Sequence, residues 1–311
     1  MLAEQLTYVY QRSQELIEEF CQLPHWRVWT MLIIAGIALL FAYPSYDLLF
    51  QEQESTNFIH LRHQFASPFE ASEAAPESHQ AKRVFRLSIP VLAKLSGISS
   101  PIVFIAIQHL LGLGFFLLGI RLAERLFEDR TSAFLLLIAI GGIYLGKSFF
   151  WDTRGWFDGF AFFALLLAMY SPNVLVQWSS LSFAFWTDER AILASGLVWI
   201  WWKLQVYGQN RLDLKTLIKP DRITLTFVLA WGSYLAIRLW LSQTYEMSVP
   251  MGKSGAIGFQ RWELFLPALF TSLEGMSLLT IPIVVMMRKK SHIWQGLTLI
   301  FALLVVIIPA L

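Results

Sequence analysis

The sequence predicts an all-α polytopic membrane protein with about nine membrane segments, several of them short, and a long first outer loop containing amphipathic interfacial helices. Three observations predict it. Of 311 residues, 56% are hydrophobic and only 15% charged, more apolar surface than a soluble core of this size needs. Apolar runs recur along the chain, separated by breaks that hold most of the charge. The stretch from Tyr43 to Ser100 is the exception, a long polar insertion after the first run, with an acidic part (Glu52, Glu54, Glu70, Glu73, Glu77) and a basic part (Lys82, Arg83, Arg86, Lys94).

The chain does not start like a signal peptide, because it lacks a basic start and a continuous apolar stretch. Leu2, Leu6, Val9, Leu16 and Phe20 recur at helical spacing against Glu4, Arg12, Glu15 and Glu19. That pattern reads as a helix lying on the membrane over residues 1–27, with a partner helix in the bundle as the alternative. A bilayer core takes roughly 20 apolar residues to cross, and the matching segments fall near 28–46, 101–122, 132–150, 156–170, 174–186, 191–206, 223–243, 263–287 and 293–311. At 1.5 Å per residue, 174–186 rises only about 20 Å against a hydrocarbon core of about 30 Å. Short segments need protein neighbours, since helix ends at membrane depth must be buried in protein or line a wet cavity. The segments divide into a membrane core over 28–206, including the outer loop 47–100, and C-terminal membrane helices over 207–311. The apolar finish at Leu311, without a polar tail, suggests a chain shorter than the natural protein.

In the first loop, Val84, Leu87, Val91 and Leu95 form an apolar stripe opposed by Lys82, Arg83, Arg86 and Lys94. This predicts a surface-lying helix that Pro90 kinks or divides. Residues 70–79 are rich in Ala, Ser, Pro and acid, the composition of an excursion.

Lysine and arginine counts in alternate loops orient the chain, because cytoplasmic loops carry the excess. With the N-terminus inside, the inner connections hold Arg121, Arg125 and Arg130, then Lys203, Arg211, Lys215, Lys219 and Arg222, then Arg288, Lys289 and Lys290. The outer short connections hold fewer. This orientation gathers the unusual polar groups on the outer side: Asp47, Asp152 to Asp158, Asp188 to Arg190, and Lys253 to Glu263.

A formal charge of +2, without a basic cluster interleaved with aromatics, argues against nucleic acid as a partner. The single Cys21 excludes an internal disulfide and a cysteine-based zinc cluster. His60 and His63 can share a helix face, but spacing fixes no carboxylate beside them, so solvated loop histidines are expected rather than a metal site. Gly252-Lys253-Ser254-Gly255 matches the outline of intramembrane serine proteases, yet no histidine stands where Ser254 needs one.

The remaining constellations can carry chemistry. Asp47, just past the first apolar run, is placed to act as a general base where a polar acceptor meets a lipid-borne donor; capping a helix is its ordinary alternative. The stretch from Trp151 to Gly159 packs Asp152, Arg154 and Asp158 among three aromatics, with Arg154 able to pair with either carboxylate. Thr187-Asp188-Glu189-Arg190 sits between two short apolar segments, where ionisable groups face a cavity, pair with each other or meet a charged ligand. Arg190 suits a phosphate because its planar fork stays charged. Salt-bridge glue is the alternative for both turns.

Together these features resemble the GT-C superfamily of polytopic glycosyltransferases: an acidic residue after the first span (Asp47), a long first outer loop with surface-lying helices (78–97), short broken membrane segments and an outer acidic-basic turn (Asp188-Glu189-Arg190). The resemblance covers about 28–206 and is architectural. No paired Asp-x-Asp follows the first span, and no soluble C-terminal domain is recognisable. The resemblance implies a polyprenyl-phosphate-linked sugar donor, an acceptor of unspecified identity on the outer or lumenal face, and no cofactor or required metal. It implies Asp47 as base, Arg190 with Arg154 or Lys253 at the departing lipid phosphate, and Asp152 and Asp158 on sugar hydroxyls or orienting Arg154. A transporter or flippase of a lipid-linked or anionic substrate, and a noncatalytic membrane assembly partner, remain as alternatives.

Overall fold

The computed structural model describes residues 2–42, 46, 49, 56–70, 83–208 and 214–247. Among the described residues every regular element is a helix. They are α1 (Leu2–Gln22), α2 (Trp26–Ala42), α3 (Thr56–Ala66), α4 (Ser88–Ser96), α5 (Pro101–Phe127), α6 (Arg130–Gly142), α7 (Tyr144–Trp151), α8 (Asp158–Tyr170), α9 (Val174–Thr187), α10 (Arg190–Tyr207), α11 (Leu214–Ile218) and α12 (Arg222–Thr244). Two of them, α5 and α12, are long and apolar enough to cross a membrane, and up to four spans result if α1–α2 and α6–α7 each count as one. Among the described residues the protein is thus all-helical, with the apolar helices of a membrane protein. The expected segments 263–287 and 293–311 lie outside the described residues, as does the acidic excursion over 70–79 apart from Glu70.

Helix starts follow from local chemistry. Pro101 opens α5, where its missing N–H has no intrahelical partner to lose. Asp129, Asn173 and Asp221 cap α6, α9 and α12, each accepting hydrogen bonds from first-turn backbone N–H groups. The α1–α2 pair turns through 118°, so the amphipathic α1 runs across the entry to α2 and leaves Tyr8, Val9 and Leu16 exposed. Ile17 and Phe20 of the same helix pack on the core.

The single run expected over 132–150 is two helices, α6 and α7, bent by 57°. A close approach accompanies the break. A Cβ at Gly141 would fall 2.4 Å from Ile34 Cγ2, so only glycine lets α6 press on α2 there.

One apolar cluster joins α1, α2, α5, α6 and α7 through residues such as Ala35, Phe116, Leu137 and Phe149. A second joins α8, α9, α10 and α12, where Ala161, Ala164, Ala168 and Ala184 let the helices approach closely. A third, built on Phe58, Phe65, Ile89, Phe104 and Phe157, seats α3 and α4 against α5 and the turn before α8. Because α8 and α9 both begin or end at this third cluster, their charged termini meet the 83–88 segment.

That segment departs from the expected stripe. Residues 83–85 form a turn and α4 starts only at Ser88, which places Pro90 in the first helical turn, where a missing donor costs nothing. Pro90 therefore belongs to a helix start and does not kink a longer helix. The buried face of α4 is Ile89, Pro90 and Ala93, while Leu95 of the expected apolar stripe is 79% exposed and Arg83 of the expected polar face is 4% exposed.

Candidate functional site

Asp158 is the first residue of α8, Asp188 follows α9 as its C-cap, and Arg190 is the first residue of α10. Each is at a helix end because a charge interrupts an apolar run there. The packing of α8, α9 and α10 brings the three ends together. Arg190 Nε lies 3.0 and 2.9 Å from the two Asp188 carboxylate oxygens, and its Nη2 donates to Asp158 Oδ2 at 2.7 Å. Arg86, from the segment before α4, closes the ring by donating to Asp158 Oδ1 at 2.8 Å and to Asp188 Oδ1 at 3.3 Å.

Both carboxylates are 2% exposed, so neither can rely on water. Asp158 takes a third donor, the Tyr144 hydroxyl at 2.7 Å, and sits in the first turn of α8, where the helix dipole favours an anion. Removing a single partner from such a buried ion group leaves an uncompensated charge, which typically costs about 3 to 5 kcal/mol.

The 152–157 loop frames the ring. Both Asp152 carboxylate oxygens accept backbone bonds, from Trp156 N–H at 3.0 Å and from Phe157 N–H. Burial, followed by the charge of Asp158, pushes the Asp152 carboxyl above the usual carboxylate range. Gly155 has φ +72°, and a Cβ there would come within 2.4 Å of Leu61 Cδ1. Phe157 is also left-handed, at φ 62°, a conformation that a bulky residue adopts at a cost; packing on Phe65, Phe104 and Phe160 holds it.

Arg154 takes a different place from the one its spacing allowed. Its side chain is exposed and, among the described residues, makes no ion pair with Asp152 or Asp158; its contribution is a backbone carbonyl that accepts from Arg83 Nη2 at 3.1 Å. Glu189 faces away from the ring, pairing with Arg238 of α12 at 2.9 Å. Arg238 in turn donates to the Tyr234 hydroxyl and lies 4.2 Å from the Phe85 ring centroid, tying α12 to the 83–87 segment.

Of the sequence-derived site residues, Asp158, Asp188 and Arg190 thus converge, Asp152 supports them through backbone, and Arg154 and Glu189 stand beside them. Asp47 and Lys253 lie outside the described residues. Tyr46, the chain neighbour of Asp47, is described: its hydroxyl is 2.7 Å from His109 Nε2 and 3.0 Å from the Phe150 carbonyl oxygen, two residues before Asp152.

The sequence reading missed Arg86, Tyr144 and Arg83. Arg83 and Arg86 stack on one indole, their guanidinium carbons 4.0 and 5.2 Å from the Trp156 ring centroid. Burial pushes the Arg83 guanidinium down to about 10. Among the described residues no group of three or more His, Cys, Asp or Glu side chains is arranged to hold a metal ion, His60 and His63 included. No protein-family model, curated protein or solved structure matches the chain.

Proposed function

We propose that this protein is a membrane glycosyltransferase that moves a sugar from a polyprenyl-phosphate-linked donor to an acceptor on the outer or lumenal face. The observation that carries the reading is the convergence of Asp158, Asp188 and Arg190, from separate chain segments, at helix ends among apolar helices. Ionisable groups in that setting mark substrate pathways and sites. In this reading about nine segments cross or enter the bilayer, the N-terminus is cytoplasmic, and residues 28–206 form a GT-C-like core.

Asp47 takes the proton of an acceptor hydroxyl, whose oxygen attacks the anomeric carbon. The bond from that carbon to the lipid phosphate oxygen breaks, and the polyprenyl phosphate leaves with the electron pair. Arg190 is fixed by two carboxylates while its side chain keeps 36% exposure, which suits a preset fork facing the developing phosphate charge. Lys253 and the exposed Arg154 are further cations for the lipid phosphate.

A second reading, a noncatalytic assembly partner, is favoured by the mutual pairing of Arg86, Arg190, Asp158 and Asp188, which is what a structural brace requires. The two separate on Asp47→Asn, which keeps size but cannot take a proton. Turnover with a polyprenyl-phosphate sugar is expected to fall by about a hundredfold or more while thermal stability and donor binding hold. Full activity would eliminate this mechanism and put a transporter or assembly partner ahead. For topology, single cysteines at positions 72 and 254 in a Cys21→Ser background are expected to react with an impermeant reagent from outside, and one at position 209 is not; the reverse pattern removes the outer site.

A further inference from the structure

Arg83 is the charged group that the ring leaves out. Its residue is 4% exposed, and the Nε and Nη1 nitrogens are buried without a hydrogen-bond partner among the described residues. Its Nη2 donates to the Arg154 carbonyl oxygen at 3.1 Å. The nearby carboxylate, Asp152, is occupied by two backbone N–H groups, and among the described residues no carboxylate oxygen lies within salt-bridge distance of Arg83. Buried donors are nearly always matched, and an unmatched one costs about 1 to 3 kcal/mol, more when charged. An arginine in this state needs an explanation other than packing.

The surroundings supply one. Arg83 and Arg86 both line a narrow crevice between the 83–90 segment and the 155–157 turn, with Gln64 and Thr187 at its polar edge. The cavity measures about 10 Å³, the room of one oxygen-sized atom. The side chain is held ready: Gln64 Nε2 donates to the Arg83 carbonyl oxygen at 2.9 Å, the Trp156 ring supports the guanidinium face, and the Arg154 carbonyl fixes one end of the fork. Nothing in this arrangement answers the remaining donors, which are what an anionic oxygen would bind.

We propose that Arg83, flanked by Arg86, is an oxyanion subsite that takes a phosphate oxygen of a phosphate ester. The lipid form of this proposal rests on the glycosyltransferase reading, in which that oxygen belongs to the polyprenyl phosphate. Arg83 then binds the phosphate oxygen from the loop side of the crevice, with Arg86 beside it.

The test uses the full chain in lipid nanodiscs. Binding of polyprenyl phosphate, of the matching polyprenol without phosphate, and of inorganic phosphate is measured for wild type, Arg83→Gln and Arg83→Lys, together with the melting temperature of each free protein. The subsite predicts that Arg83→Gln weakens polyprenyl phosphate binding about tenfold or more, leaves polyprenol binding unchanged, and melts at or above the wild-type temperature because an unmatched buried charge has gone. Arg83→Lys keeps the charge without the fork and is expected to bind at an intermediate level. Wild-type phosphate-lipid affinity in Arg83→Gln overturns the subsite and leaves the glycosyltransferase reading standing. A lowered melting temperature with equal loss of polyprenol and polyprenyl phosphate also overturns it, as a purely structural role would. Arg83-dependent binding of inorganic phosphate without binding of the lipid supports the subsite and removes the lipid-donor reading.

Discussion

Two buried charge clusters hold helices together in this protein, and they are built differently. In the first, Lys203 of α10 is fully buried and donates to the Thr216 and Lys219 carbonyl oxygens and, at 2.6 Å, to Asp221, the cap of α12. Tyr207 and the Thr224 N–H complete the Asp221 carboxylate. All partners lie within a short stretch of sequence, and every donor of the ammonium finds an acceptor. In the second, Arg86, Asp158, Asp188 and Arg190 link parts of the chain up to 102 positions apart, and a further arginine beside them keeps unmatched donors. A local, closed network is sufficient to explain a turn between helices. A long-range network with a charge left open at a crevice calls for a ligand.

The largest expected effect comes from opening the second cluster. Asp158→Asn leaves Arg86 and Arg190 sharing one carboxylate, and a loss of about 3 kcal/mol in stability is expected, measured by denaturant or thermal unfolding in detergent. If the ring positions a site, polyprenyl phosphate binding falls in the same variant even at temperatures where it is fully folded. Loss of stability with unchanged lipid binding would make the second cluster equivalent to the first.

Lys203→Met is the matched change in the first cluster. It fills the space but leaves two carbonyls and part of a carboxylate without their donor, so a smaller loss of about 1 to 3 kcal/mol is expected. Lipid binding, measured at a temperature where the variant is folded, should stay at the wild-type level, since the three Lys203 donors are all matched. A binding defect in Lys203→Met comparable to that of Asp158→Asn would erase the distinction.

The sequence shows part of this difference. Asp158, Asp188 and Arg190 stand out because charge at the ends of apolar runs is expensive unless it is used. The helices α8, α9, α10 and α12 begin and end within two residues of their apolar runs for the same reason. Arg83 and Arg86 are not visible as site residues, since helical periodicity assigns them to the polar face of an amphipathic stripe. What overrides that pattern is Pro90: it fits the first turn of α4, the α-helix starts at Ser88, and both arginines fall before it, in a segment that α3 and the 155–157 turn cover. The α6–α7 bend lies inside a mostly apolar run, where the glycines at 141 and 146 mark the close approaches, to Ile34 and to the Ile140 backbone.

The smallest effect is a pH dependence confined to the first cluster. Burial acts to raise the Asp221 carboxyl, but bonds from Lys203, the Thr224 N–H and Tyr207 outweigh it and hold the group at about 2, against an ordinary value of 3.8. A carboxyl that binds its proton less readily when folded contributes stability that is complete above about pH 4 and is lost as pH falls toward 2. Wild type and Asp221→Asn should therefore differ in melting temperature at neutral pH, and that difference should shrink between pH 4 and pH 2, where the carboxylate that distinguishes them becomes protonated. The comparison is made on the difference between the two proteins, because other carboxylates titrate in the same range and affect both alike. A gap that stays constant down to pH 2 would show that Asp221 holds α12 by its shape and hydrogen bonding to Thr224, and that its ion pair with Lys203 contributes nothing measurable.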